Sequence, residues 1–295
     1  MTEINYIKCG NEFSYQGRQF NGYTTSSLLD EVSKFEFLPT DILTLTFPRC
    51  GTTLINEIIW HIKNHKEISK NKIREDITLR FPFLEYNYEY DKEYEMSFIR
   101  MLNLKKNNPF RLIKTHVPYE FIKGNFEKVH PKMVIVLRNP KDCLVSNFYF
   151  YLKMSVHEWH GTFGDFFHLF LNGKTFTGSY FDNILECWSL RNQKNVLILF
   201  YEDIVRNMGE NVTKIVDFLN ETLTVEELDI ILHNCSFSTM SQNPNINVKI
   251  DDEFSFLRKG VIGDWKNHFS EEQNRLLNLK IEEEFRGSDL SFIYE

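Results

Sequence analysis

The sequence predicts an α/β fold, a single domain over residues 1–295 with a central, mostly parallel sheet flanked by helices. Three observations predict it. Four short apolar segments rich in Val, Ile, Leu and Phe have the length and continuity of strands buried on both faces. Segments of helical periodicity separate them, the chain order that generates parallel sheets. Glycine, hydroxyl or basic residues follow the strands, where open parallel sheets place their ligands. A chain of 295 residues, 42% hydrophobic and with 27 Phe, can bury a core of that size.

Residues 1–40 carry scattered Gly and aromatic residues and read as an irregular wrap ending in a short helix near Ser27–Phe35. Ile42–Phe47 is the first strand. Pro48–Thr53 is a turn, after which Leu54, Ile55, Ile58, Ile59 and Ile62 share one helical face. A strand feeding a helix through a Gly/Thr turn aims backbone N–H groups and the helix dipole at one point, a natural anion site. Arg49 and the hydroxyls of Thr52 and Thr53 would add donors. An ordinary strand–helix turn has the same composition, so this stretch alone leaves both readings open.

Within residues 66–109, the run RFPFLE (residues 80–85) stands out as apolar and aromatic, and an acidic, aromatic run follows it. Phe110–His116 is the second strand and Lys132–Leu137 the third. A helix starting near Asp142 carries Leu144, Val145 and Phe148 on one side. Glycines at 161, 164, 173 and 178 give residues 153–178 the composition of a loop or lid. A helix over Tyr180–Asn192 and a fourth strand over Val196–Phe200 follow. Helices near Val212–Leu219 and Val225–Leu232, a polar loop at 239–256 and a helix over Glu271–Phe285 complete the chain.

The formal charge of −7 disfavours general nucleic-acid binding and confines any anion site to a local feature. The five cysteines (9, 50, 143, 187, 235) form no C-x-x-C pair, so neither a disulfide framework nor a zinc knuckle is expected. The polar N-terminus lacks an apolar signal core, and no apolar run reaches the roughly 18 residues a membrane span needs. A soluble, cytoplasmic protein with no membrane partner is expected. His61 with His65, and His157 with His160, have the spacing of ligand pairs, but packed or solvated histidines explain them better, and no metal is expected.

Basic residues recur behind the strands: Arg49 after the first, Lys114 in the second, Arg138 after the third, with Arg258 and Lys259 near the C-terminus. A solvated surface explains any one of these cations but not their repeated placement. An acidic chain that gathers them suits a polyanion with at least two anionic groups. Five stretches carry the pattern in order: TFPRCGTTL, KTHVP, VLRNPKDCLVSNFYFY, FYED and RKGVIGDWK. They resemble the motifs of the cytosolic sulfotransferases, which use 3′-phosphoadenosine 5′-phosphosulfate (PAPS), and the resemblance runs nearly end to end.

The resemblance implies roles by position. Arg49, Cys50, Gly51, Thr52 and Thr53 correspond to a P-loop-like cradle for the 5′-phosphosulfate, with Leu54 beside the adenine. Arg138 and Ser146, with Arg258, Lys259 and Gly260, would hold the 3′-phosphate. Tyr201 and Phe237 would lie on the adenine side, and Met240 and Phe256 complete the expected cofactor contacts. His116 would be the general base, with Lys114 and Arg49 stabilising charge on the sulfuryl group and the leaving phosphate. Phe81, Phe83 and Phe150, with Lys114 and His116, are expected at the acceptor. Leu84, Phe148, Tyr151, Trp159, Phe163, Phe166 and Phe167 come from segments that line the family's pocket. The implied acceptor is a small, largely apolar phenol, steroid, alcohol or amine, and no metal is required.

The chain also departs from the family. Arg49 stands where Lys is usual, Cys50 for Ser, Leu54 for Trp, and Cys235 for Thr. These changes imply altered cofactor binding and keep a second reading open, a catalytically weak binder of PAPS or of its product adenosine 3′,5′-bisphosphate (PAP). Of the family's dimer motif only Lys266 remains, so monomer and homodimer both stay open. Without GxxxxGK[ST] or GxGxxG, a phosphotransferase or dehydrogenase has little support.

Overall fold

The computed structural model of the chain describes residues 13–20, 24–67, 75–91, 94–154, 157–247 and 255–295. Cys9 and residues 248–254 of the expected polar loop lie outside them. The described chain opens with a hairpin of β1 (Phe13–Tyr15) and β2 (Arg18–Phe20). Its two-residue turn, Gln16-Gly17, has positive φ at both positions, which matches the right-handed twist of the flanking strands. α1 (Ser26–Ser33) follows under a cap from the Thr25 hydroxyl. β3 (Ile42–Thr46) leads into α2 (Thr52–Lys63). α3 (Ile77–Arg80), the antiparallel pair β4 (Asn87–Asp91) and β5 (Tyr94–Ser97), and α4 (Phe98–Leu104) precede β6 (Leu112–Thr115). α5 (Lys123–Val129) leads to β7 (Lys132–Leu137), and α6 (Pro140–Lys153), α7 (Phe163–Leu171) and α8 (Tyr180–Ser189) carry the chain to β8 (Val196–Phe200). α9 (Tyr201–Arg206), α10 (Met208–Leu219), α11 (Val225–Asn234), α12 (Phe237–Gln242) and α13 (Glu271–Glu284) follow.

The four expected strands form one parallel sheet in the order β6-β3-β7-β8. The register pairs Leu45 with Thr115 and with Ile135, and Leu137 with Phe200. The residues that follow the strands, Phe47, His116, Arg138 and Tyr201, are therefore brought to one edge. The order reverses at β3, whose neighbours β6 and β7 both come later in the chain. Such a switch point opens a crevice at the carboxyl ends of the strands.

Alternation along the strands feeds two cores, one on each face of the sheet. Leu43, Leu45, Ile113, Met133 and Ile135 pack with residues of α1, α6, α7 and α8. Ile42, Leu112, Val134 and Val136 pack with Ile55, Ile58, Ile59 and Ile62 of α2 and with α10. All five residues of β3 are buried because the strand is covered on both faces and paired on both sides.

Three stretches differ from expectation. The irregular N-terminal wrap contains the β1–β2 hairpin. The loop or lid at 153–178 contains α7, whose Phe166, Phe167 and Phe170 are buried and whose start is fixed by a Thr162–Asp165 capping box. The polar loop at 239–256 begins inside α12, capped by Ser236.

Candidate functional site

The turn after β3 is built around backbone that only a few residues tolerate. Arg49 and Gly51 have φ of 68° and 103°. A Cβ on Gly51 would lie 2.7 Å from Tyr201 Cδ2, so both conformation and space require glycine. Gly51 is also the N-cap of the 12-residue α2, and no side chain caps that end. The helix therefore presents its own N–H groups to the cavity that Gly51, Thr52, Thr53 and Leu54 line. The Thr52 and Thr46 hydroxyls share a hydrogen bond of 2.7 Å, tying the first turn of α2 to the end of β3.

Arg49 reaches across this crevice. Its Nε donates to Ser146 Oγ of α6 at 3.2 Å and its Nη2 to the Phe256 carbonyl at 2.9 Å. The guanidinium also lies 5.1 and 4.6 Å from the ring centres of Phe150 and Phe256. Burial, then the charges of Arg138 and Arg258, lower its pKa to about 10. Arg138, after β7, donates from Nη1 to the Arg49 carbonyl at 2.8 Å and sits 4.3 Å over the Tyr201 ring. Its buried Nε has no hydrogen-bond partner among the described residues, which is the condition of a donor waiting for an anion.

The end of β6 supplies the titratable groups. His116 Nδ1 lies 2.8 Å from the Thr46 carbonyl, an atom that can only accept. Nδ1 therefore carries the proton and Nε2 keeps its lone pair. Burial, with Lys114 and Arg49 adding to it, lowers the imidazole pKa to about 4, so the ring is neutral at pH 7. Lys114 lies 4.2 Å from the centre of the Phe83 ring, and burial lowers its pKa to about 7 against the opposing charges of Asp76 and Glu85. Glu85 is 1% exposed and accepts from the His116 N–H at 2.7 Å and from Thr115 Oγ1 at 2.8 Å. Burial raises its pKa to about 7.

The third group of cations is already engaged. Arg258 Nη2 and Lys259 Nζ reach the two Asp264 oxygens at 2.7 and 2.8 Å. Burial would raise the Asp264 pKa, but these contacts hold it below the usual carboxylate range. The segment is pinned to α6 by Asp142, which accepts the N–H groups of Gly263 and Trp265 at 2.8 and 3.0 Å. Gly260 is fixed at φ 67°, with room for a Cβ denied by Phe237 Cδ2 at 2.3 Å.

The side chains of Arg49, Lys114, His116, Arg138, Arg258 and Lys259 border one cavity of about 670 Å³. Phe83, Tyr86, Phe98, Phe150, Met154 and Phe176 line the same cavity, and Lys114 and His116 lie 4.2 and 5.2 Å from the centre of the Phe83 ring. Residues 39–289 match the Sulfotransferase domain family. The chain belongs to the sulfotransferase family. Sulfotransferase 1E1 of Homo sapiens is 35% identical over 271 residues, 89% of this chain and 90% of that protein. The crystal structure of mouse sulfotransferase SULT7A1 complexed with PAP matches with a TM-score of 0.78 at 28% identity, over 95% of this chain and 96% of that one. Retinol dehydratase in complex with androsterone and the inactive cofactor PAP matches with a TM-score of 0.81 at 25% identity, over 90% and 87%.

This sulfotransferase brings most of the residues singled out in the sequence to that cavity. Arg49, Gly51, Thr52, Thr53, Leu54, Arg138, Ser146, Tyr201, Phe237, Met240, Phe256, Arg258, Lys259 and Gly260 line it, as do Lys114, His116, Phe83 and Phe150. Two side chains are corrected. Cys50 is fully buried and turns its sulfur to Cys143 Sγ at 3.6 Å, because the residue lies between two left-handed positions that face it inward. Phe81 is fully buried among Ile42, Leu112 and α2, since only alternate residues of an extended segment can face one side. Leu84, Phe148, Tyr151, Trp159, Phe166 and Phe167 also belong to the core. Three of the histidines singled out by spacing have other partners: His61 is buried and bonded to the Glu57 carbonyl, His65 contacts Glu227, and His157 stacks on Tyr151. Sequence reasoning missed Glu85, Asp264, Tyr86, Met154 and Phe176. For Glu85 the signal was a carboxylate inside an otherwise apolar run.

Proposed function

We propose that this sulfotransferase moves the sulfuryl group of PAPS to a hydroxyl or amine of a small, largely apolar acceptor by in-line displacement, with His116 as general base. The observation that carries the reading is the His116 ring, whose Nδ1–H is committed to the Thr46 carbonyl and whose Nε2 is left as acceptor in a cavity lined by both cations and aromatic rings. The residues fit the donor. A partnerless buried Arg138 Nε, an uncapped α2 N-terminus and the Cβ-free space at Gly51 all suit phosphate oxygens. Gly51, Thr52 and Thr53 would hold the 5′ end, and Arg138, Ser146, Arg258, Lys259 and Gly260 the 3′-phosphate. Leu54, Tyr201, Phe237 and Met240 would border the base. PAPS, when bound, supplies an activated sulfuryl group and a phosphate leaving group.

The chain's own residues divide the remaining work. His116 takes the proton of the acceptor. Lys114 and Arg49 place fixed positive charge where negative charge develops, at no cost of reorganisation. Phe83 and Phe150 hold a flat apolar acceptor against the base and exclude water. Because the site draws on residues from Pro48 to Val261, the reading treats residues 1–295 as one domain.

The test is His116→Ala, assayed with labelled PAPS and by PAP calorimetry. Turnover should fall by about 100-fold or more with PAP affinity retained. A variant that turns over at the normal rate sinks the assignment of the base. A second reading, a catalytically weak PAP binder, is favoured by the engagement of Arg49 with Ser146 and Phe256, which occupies the cation of the turn itself. Tight PAP binding with no transfer across phenols, steroids, amines and alcohols would select it.

A further inference from the structure

Glu85 does not line the cavity, yet it holds the strand end that does. The last pairing of β6 with β3 is Thr115 with Leu45, so the N–H of His116 lies beyond the sheet. A buried N–H without an acceptor is costly, and Glu85 Oε1 meets it at 2.7 Å. Its other oxygen takes the Thr115 hydroxyl at 2.8 Å, and Thr115 Oγ1 in turn accepts the Val117 N–H at 3.2 Å. The segment carrying Glu85 is itself fixed to β6. Lys114 N donates to the Pro82 carbonyl at 3.0 Å, and Leu84 N to the Lys114 carbonyl at 3.1 Å. The charged groups that face this end of β6 are Lys114 itself, Asp76 and Arg80 at α3, Glu57 of α2 and Arg49 of the turn after β3.

We propose that Glu85 is a positioning residue for sulfuryl transfer: it fixes the backbone of His116, so that Nδ1–H stays on the Thr46 carbonyl and Nε2 stays the acceptor. This rests on the reading of His116 as the base. A single buried carboxylate thereby orients the proposed base without lining the cavity.

Two variants of the full chain test this role. Glu85→Gln keeps an oxygen for the His116 N–H and removes the charge, whereas Glu85→Ala removes both. PAP affinity should stay within about twofold in each, while kcat falls about tenfold in the first and about 100-fold in the second. In Glu85→Gln the alkaline fall of kcat/KM should also move to lower pH, because Lys114 has lost a stabilising anion. Nitrogen NMR of the His116 ring gives a readout independent of turnover, with one Nδ1–H tautomer in the wild type and a mixture in Glu85→Ala. If Glu85→Ala does not fold, Glu85→Gln carries the test through its kcat and pH profile. Wild-type kcat and an unshifted alkaline limb in Glu85→Gln overturn the proposal, as does a PAP affinity that falls in step with kcat. A wild type that transfers to no acceptor, beside a Glu85→Ala ring that loses its single tautomer, overturns the functional reading and leaves the positioning role standing.

Discussion

His116 and Lys114 sit two residues apart at the end of β6, yet burial shifts them toward opposite uses. Burial lowers both pKa values, to about 4 for the imidazole and about 7 for the ammonium. As the proposed base, His116 would work neutral and be lost as pH falls through about 4. Lys114 would work charged and be lost as pH rises through about 7. The kcat/KM profile of the free enzyme should therefore have an acid limb near 4 and an alkaline limb near 7, measured against a neutral acceptor between pH 3 and 9. A plateau extending to pH 9 would remove Lys114 from the mechanism. At this scale the sequence was legible wherever a motif named a residue type at a strand end, as at Arg49, Gly51, His116 and Arg138. It was silent on direction. Nothing in the order Arg49-Cys50-Gly51 tells that the thiol faces Cys143, or that Phe83 rather than Phe81 faces the cavity, because a one-residue change of facing follows from tertiary packing.

The elements that shape the site are held by a few buried polar contacts. Asp142, in the first turn of α6 and 2% exposed, accepts two N–H groups from the turn at Gly263–Trp265. That turn carries Asp264, which in turn orients Arg258 and Lys259. Asp142→Ala should therefore weaken PAP binding about tenfold or more by calorimetry, with a stability loss of about 1–3 kcal/mol. Unchanged PAP affinity would show that the segment places its cations without α6. The strands were legible because MVIVL, after Lys132, and VLILF leave no polar position on either face. α7 was not, because the glycines at 161 and 164 gave its neighbourhood the composition of a loop. The Phe residues at 163, 166, 167 and 170, with a Thr-x-x-Asp start, carry the helical period that outweighs them.

Across the whole molecule, the fold turns an acidic chain into a local trap for anions. The formal charge is −7, but the fold gathers five arginine and lysine side chains, at positions 49, 114, 138, 258 and 259, around a single cavity. Those residues come from positions 49 to 259, so loss of any large part of the fold disperses the site. Urea unfolding followed by far-ultraviolet circular dichroism and by tryptophan fluorescence should give coincident transitions, as one cooperative unit requires. Two separated transitions would divide the chain into independent parts. The strand order β6-β3-β7-β8 was the least legible level. Parallel pairing follows from alternating strands and helices, but which strand neighbours which is decided by crossovers that no single segment encodes.

The contact between Cys50 and Cys143 has a consequence for motion. Their sulfurs lie 3.6 Å apart, one in the turn after β3 and one in α6, and neither is exposed. A thiol reagent can reach them only when the turn and the helix separate, so their alkylation rate is a clock for that opening. Cys187, buried in α8 away from the cavity, supplies the reference for global unfolding. PAP should slow labelling of Cys50 and Cys143 more than that of Cys187, as mass spectrometry of the alkylated peptides can read. Equal slowing of all three would mean that the turn opens only when the whole protein does.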